Sequence, residues 1–353
     1  MEPQPGNEQE AGGVLNPAAV RSADGNLYLF PRIATTDNFS RIGIARVLFD
    51  KNGNPSGVER LGIALEPQAE YELRPGGGGC EDPRVTFVAP LNKYLMSYTA
   101  FSAQGPRIAM AESKDLIHWV RLGLVSYSPY QHIEFNGVDN KDACFFPAAI
   151  PSPHDGRPSL GFLHRPLFPG TRPEETSRKT DPIMAQNHRE CIWISYSHLN
   201  QHSPEDHAMH FSSHHPLAAP QSDWDALKVG AGAPPVETDW GWLFIYHGVS
   251  QKEATVPGQR SLTYSAGIMI LSKEEPGKVL YRSPSPVLQP ELEAEKVGIV
   301  AEVVFPTAVD QRLDIGKPNR FDLYYGMADD KIGVASLELP DNFSELIAGY
   351  QHP

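Results

Sequence analysis

The feature that most constrains this chain is a hairpin that keeps returning. An aromatic-rich strand is followed by a loop and then by a strand of alternating small and branched residues. Leu27–Ala34 is followed by Ile42–Val47, Lys93–Ala100 by Arg107–Ser113, and Ser159–Pro166 by Cys191–Ser197. Gly241–Gly248 is followed by Ser265–Leu271, and Phe321–Asp329 by Lys331–Leu337. The copies recur at intervals of roughly 60 to 80 residues, the signature of a repeat architecture. Thirty glycines and 33 prolines favour turns over long helices. The pattern predicts an all-β chain folded as a five-bladed β-propeller with its active site in the central channel. A pair of β-sandwiches would not explain why the same hairpin recurs.

The first strand of each pair ends in a chemically distinctive group: Arg32, Tyr98 with Thr99, Arg165, His247 and Asp329. Blades around an axis bring equivalent positions together at one end of the channel, so these five segments would share one pocket. A second cluster is continuous in sequence, running from Gly76 through Glu81-Asp82-Pro83-Arg84 to Thr86. Four glycines let a backbone turn sharply or let a ligand approach closely. The proline holds Asp82 extended, and Arg84 follows. Taken alone, the stretch reads first as an acidic turn before a strand and second as a positioned general acid. The repeat favours the acid.

Composition narrows the function classes. A chain of 353 residues, 40% hydrophobic and 21% charged, can bury a large core. Residues 1–13 read as a disordered tail and 14–353 as a single catalytic domain. A net charge of −13 argues against a nucleic-acid binder. Cys80, Cys144 and Cys191 are widely spaced and read as free thiols of a reducing compartment. The first ten residues are polar and acidic, without a signal-peptide pattern. No apolar run reaches the length of a membrane span. These features together predict a soluble, cytoplasmic protein that does not bind membranes.

A series of short motifs then points to a family. They are Asn16-Pro17-Ala18, Glu81-Asp82-Pro83-Arg84-Val85, Asn140-Lys141-Asp142-Ala143 with Phe146-Pro147, and His164-Arg165-Pro166. Further along come Lys228-Val229-Gly230-Ala231-Gly232, Gly241-Trp242, Tyr246-His247-Gly248-Val249, Val304-Phe305-Pro306 and Tyr324-Tyr325-Gly326-Met327-Ala328-Asp329. In this order, across residues 14–340, the chain resembles glycoside hydrolase family 130, the β-mannoside phosphorylases and related β-mannosidases. The resemblance implies a five-bladed propeller. It implies that Asp82 is the catalytic acid, acting through the mannose 3-hydroxyl. It places sugar on Asn16, Arg32, Arg41 and Asp329, and phosphate on Arg165, Lys228 and His247. Glu81, Lys141, Asp142 and Tyr246 are further sugar-side candidates. Glu81 and the Lys141-Asp142 pair depart from residues that some members carry there, which leaves acceptor specificity open.

The chemistry agrees with the resemblance. Phosphorolysis needs an acid for the leaving oxygen and a cationic cradle for phosphate. It needs no protein base, whereas an inverting hydrolase needs a second carboxylate to activate water. Basic residues in the channel of an acidic protein suit an anionic ligand. The expected co-substrates are a β-manno-oligosaccharide and inorganic phosphate, with no cofactor and no metal. The histidines at 207, 210, 214 and 215 lack an instructive carboxylate and are not read as a metal site. Acceptor contacts are expected from loops 169–190 and 198–222, and from a neighbouring subunit if the chain forms a homo-oligomer. The competing readings are an inverting β-mannosidase, with Glu81, Asp142 or another channel carboxylate as base, and a non-catalytic sugar-binding propeller.

Overall fold

The computed structural model describes residues 1–130, 133–168, 190–199, 209–252 and 261–350. Each of the five expected hairpins is an antiparallel pair, and each extends into a longer run. The first run is β1 (Val14–Arg21), β2 (Leu27–Ala34), β3 (Phe39–Phe49) and β4 (Pro55–Leu65). The second is β5 (Gly78–Val88), β6 (Lys93–Ser102), β7 (Gly105–Ser113) and β8 (Val120–Leu124). β9 (Ser126–Tyr127) lies beyond it. The third run is β10 (Asp139–Phe145), β12 (Pro158–Leu167), β13 (Ile192–His198) and β15 (Ser213–Ala218). The short β11 (Ile150–Pro151) pairs with β12, and β14 (His210–Phe211) pairs in parallel with β9. The fourth is β16 (Lys228–Ala231), β18 (Gly241–Lys252), β19 (Ser261–Leu271) and β20 (Val279–Arg282), with β17 (Val236–Thr238) also on β18. The fifth has three strands, β21 (Val304–Gln311), β22 (Arg320–Met327) and β23 (Lys331–Glu338).

Packing explains why these strands lack a strict apolar–polar alternation. Successive runs bury apolar side chains against each other, so the middle strands are covered on both faces. In β12, every residue from Ser159 to Pro166 is buried. Phe30 and Ile42 of the first run meet Met96 and Tyr98 of the second. Leu95 and Met110 meet Phe162 and Trp193. Ile194 and Tyr196 meet Phe244 and Met269, and Ile245 and Ile270 meet Phe321 and Leu323. A further cluster joins Ala308 and Tyr324 of the fifth run to Leu29 and Val47 of the first.

The first two runs are one sheet, because β3 and β5 pair in parallel at Phe39–Gly78 and Ser40–Gly79. This junction is what the glycine stretch serves. Gly79 has φ +107°, and a Cβ there would strike the Ser40 carbonyl. Only glycine combines that backbone with that approach.

The innermost strands of three runs share one irregularity. β1, β5 and β10 bulge after Leu15, Glu81 and Lys141. The next residue is left-handed in each: Asn16 (φ 43°), Asp82 (φ 46°) and Asp142 (φ 56°), so Asp82 is not extended as its following proline predicted, because the bulge overrides that local preference. Asn and Asp tolerate this region better than other side-chain-bearing residues. A bulge re-aims a side chain out of the strand's normal alternation, and here it does so three times in equivalent places.

Residues 1–13, read from sequence as a disordered tail, are mostly exposed or partly exposed, with Glu10 and Gly13 buried. Glu10 is buried, accepting from Arg60 Nε at 2.9 Å and from the Gln4 amide at 2.7 Å, and the Ile332 amide donates to Met1. Polar composition hid these contacts, because an ion pair and backbone hydrogen bonds make them, with few apolar side chains involved.

Candidate functional site

The bulges place two polar clusters side by side. The first surrounds Asp82. Its Oδ1 accepts from Asn16 Nδ2 at 2.8 Å and from Arg32 at 3.3 Å. The same guanidinium donates to Glu81 at 3.0 Å, and its Nε donates to Ser40 at 2.9 Å. Lys141 Nζ stands 4.0 Å from Glu81. Burial pushes the Asp82 pKa up, but Arg32, Lys141, Asn16 and Arg84 outweigh it and hold Asp82 below its ordinary value. Asp329 behaves oppositely. Burial and the neighbouring Asp82 charge raise its pKa to about 6 against the pull of Arg32 and Lys141. Two acidic groups with pKa values driven apart are a recurring mark of acid–base sites.

The second cluster surrounds Asp142. Its Oδ2 accepts from Arg165 Nε at 2.6 Å and lies 3.7 Å from His247 Nε2. Arg165 also pairs with Glu190, whose carboxylate is 3.8 Å from Lys228 Nζ. Lys228 lies 5.5 Å over the Tyr264 ring, which neighbours His247. Register explains the meeting: Lys141 lies across from Arg165, and Gly230 lies across from His247. Gly230 must lack a side chain, since a Cβ there would strike both Asp142 and His247. His247 is buried, and burial lowers its pKa to about 3, with Arg165, Lys228 and Arg84 adding to the effect and Asp142 opposing it. It is therefore neutral at pH 7. Neither ring nitrogen has a hydrogen-bond partner among the described residues. A buried polar group in that state calls for a ligand or an ordered water.

Arg84 lies between the clusters. It is buried and donates to the carbonyls of Asp82 (3.0 Å), Pro83 (3.2 Å) and Ala231 (3.4 Å), as well as to Gly232. It therefore ties the Asp82 bulge to β16 beside the second cluster.

The structure brings together most of the residues singled out by sequence. Asn16, Arg32, Glu81, Asp82, Lys141 and Asp329 interact in the first group. Arg165, Lys228, His247 and Asp142 form the second, so Asp142 sits with the cations and away from the sugar-side candidates. Two residues fall elsewhere. Arg41 Nε pairs with Glu66 at 3.0 Å. Tyr246 is buried with its hydroxyl 3.0 Å from Arg282 Nε and 3.4 Å from Asp225, which makes it a core residue. It neighbours His247 in sequence, but strand alternation directs it to the opposite face. Sequence reasoning gave no role to Glu190 or Tyr264, nor to Phe305 within the Val304-Phe305-Pro306 motif, whose ring is 4.5 Å from His247. No local pattern marks Glu190 and Tyr264, since each reaches the site from a separate segment. Of the loops expected to supply acceptor contacts, all of 169–190 but Glu190, and residues 200–208 of 198–222 with His207 among them, lie outside the described residues. Among the described residues, no group of three His, Cys, Asp or Glu could hold a metal, and no helix is long and apolar enough to cross a membrane. All three cysteines are buried and free.

The chain is 31% identical over 346 residues to a 1,2-β-oligomannan phosphorylase of Thermoanaerobacter sp. (strain X514), covering 96% of this chain and 94% of that protein. The fold resembles the β-1,2-mannobiose phosphorylase of Listeria innocua in complex with β-1,2-mannobiose, with TM-score 0.67, 22% identity, and 95% and 91% of the two chains covered. It also resembles a structure described under family 130 glycoside hydrolases that target β-1,2-mannosidic linkages in Candida mannan, with TM-score 0.66, 19% identity, and 96% and 90% covered. The family profile described as β-1,4-mannooligosaccharide phosphorylase matches residues 4–165 and 178–343, and the chain belongs to that family, glycoside hydrolase family 130.

Proposed function

We propose that this protein is an inverting β-mannoside phosphorylase built as a five-bladed β-propeller. The five antiparallel runs, each packed on the next and the fifth on the first, support the architecture. One observation carries the function: Arg165 and Lys228 converge on a single carboxylate, that of Glu190, beside the unpartnered imidazole of His247. That is a site prepared for an anion.

In this reading the mannosyl unit sits on Asn16, Arg32 and Asp329. A phosphate oxygen held by Arg165, Lys228 and His247 attacks C1. The C1–O bond to the acceptor breaks, and the departing oxygen takes the proton of the sugar 3-hydroxyl. Asp82 replaces that proton, giving α-mannose 1-phosphate and a shortened acceptor. Asn16 and Arg32 hold Asp82 in its charged form, so its role as acid requires the sugar to take over these donors. Metal or cofactor chemistry has no step in this scheme. Arg41 keeps its Nε on Glu66 and offers sugar its buried Nη1, which has no hydrogen-bond partner among the described residues, and Tyr246 serves the core.

A second reading draws on the same contact. Glu190 could act on water as the base of an inverting β-mannosidase. Incubation with β-1,2-mannobiose, and in parallel with β-1,4-mannobiose, with and without phosphate separates the two. Phosphate-dependent formation of α-mannose 1-phosphate supports the phosphorylase. Equal mannose release in both conditions refutes it.

A further inference from the structure

Phe101 stands at the edge of the first cluster. It lies across from Gly79 in the β5–β6 ladder, so its half-buried ring has no side chain opposite it on the β5 side, while Pro106 lies opposite it on the β7 side. Two cations attend it instead. The Arg74 guanidinium is 4.3 Å from the ring centroid and Lys141 Nζ is 5.7 Å from it. Arg74 forms no ion pair among the described residues. A ring flanked by one unpaired and one shared cation, beside a cluster of carboxylates, offers an apolar face and free donors in one place.

The side chains of Lys141 and Asp142 fix which substrate part would meet this ring. Lys141 points toward Glu81 and Phe101. Asp142, the next residue, points toward Arg165 and His247. Inversion needs the attacking and departing oxygens on opposite sides of the reacting carbon. With the anion on the Asp142 side, the departing sugar lies on the Lys141 side.

We propose that Phe101 is the platform for the acceptor sugar, with Arg74 and Lys141 donating hydrogen bonds to its hydroxyls. The C–H face of a pyranose packs on the part of the ring that Arg74 leaves open. The ring binds a sugar in general, and the two cations select the hydroxyl pattern. This inference rests on the phosphorylase reading for the direction of attack.

The test is kinetic, in the synthetic direction, with α-mannose 1-phosphate as donor and mannose as acceptor. Phe101→Ala should raise the acceptor KM by roughly tenfold, the scale of losing a partly buried aromatic contact. The donor KM should stay within about twofold of wild type. Phe101→Tyr should restore the acceptor KM, and Phe101→Leu, which keeps apolar bulk without a ring, should not. Thermal melting identifies variants that fail to fold, and the comparison of Tyr with Leu then decides. An unchanged acceptor KM, or donor and acceptor KM rising together, overturns the proposal. If the wild type shows no phosphate-dependent turnover but releases mannose, the phosphorylase reading is the one that fails. The KM for β-1,2-mannobiose hydrolysis in the same variants then tests the platform separately.

Discussion

Replacing Glu190 by glutamine should tighten phosphate binding. The Glu190 carboxylate pairs with Arg165 and stands 3.8 Å from Lys228. Arg165 is also paired with Asp142, while His247 is neutral. The two cations are thus balanced by two carboxylates, and arriving phosphate must compete with one of them. A unit charge pair near 4 Å is worth about 4 kcal/mol at an effective dielectric of 20. Glu190 keeps some solvent contact, with 13% of its side chain accessible, which scales the net effect down. About 1–2 kcal/mol remains, a factor of roughly 5 to 30 in affinity. Glu190→Gln should therefore lower the phosphate KM about tenfold, with the KM for the mannoside unchanged. Initial rates of α-mannose 1-phosphate formation across a phosphate series measure it. A phosphate KM that is unchanged or raised refutes the reasoning. Loss of phosphate-independent mannose release in this variant would make Glu190 a hydrolytic base.

Other outcomes follow from the same geometry. Asp82→Asn should fold normally and lose turnover by on the order of 100-fold or more, measured as kcat for phosphorolysis; near wild-type turnover would move the acid elsewhere. Arg165→Ala should raise the phosphate KM far more than the mannoside KM, and should lower the melting temperature because it leaves Asp142 buried beside neutral His247. Asp329 has a folded pKa raised from the ordinary 3.8 to about 6, so its ionisation opposes folding, and its contribution weakens stability as pH rises through about 6. Asp329→Asn should remove that penalty, on the order of 2 kcal/mol at pH 8 and near nothing at pH 4. Denaturant midpoints at the two pH values test this, and a variant no more stable than wild type at pH 8 would refute it.

The chain's order of aromatic and small-branched strands determined the five hairpins, because strand pairing next to a turn is a local matter of period and punctuation. Glu81-Asp82-Pro83-Arg84 was legible as a special stretch for a similar reason: its proline and glycines act on the residues beside them. The same bulge at Asn16 and Asp142 was present in the sequence as a short x-Asn/Asp-Pro/Ala pattern, but only the register of β1, β5 and β10 shows that the three positions are equivalent.

Tertiary structure decided the rest. Tyr246 and His247 are adjacent in sequence, yet one lies in the core and the other faces the anion cluster, because strand alternation sends neighbours to opposite faces. That Arg41 pairs through its Nε with Glu66, on another segment, was not legible in the sequence. Nor was the pairing of Arg60 with Glu10. Glu190 reached Arg165 and Lys228 from outside every motif. The sequence alone determined which strands form and which residues carry chemistry. Which charges neutralise each other depends on separations of a few ångströms between segments far apart in the chain, and only the packed structure sets those distances.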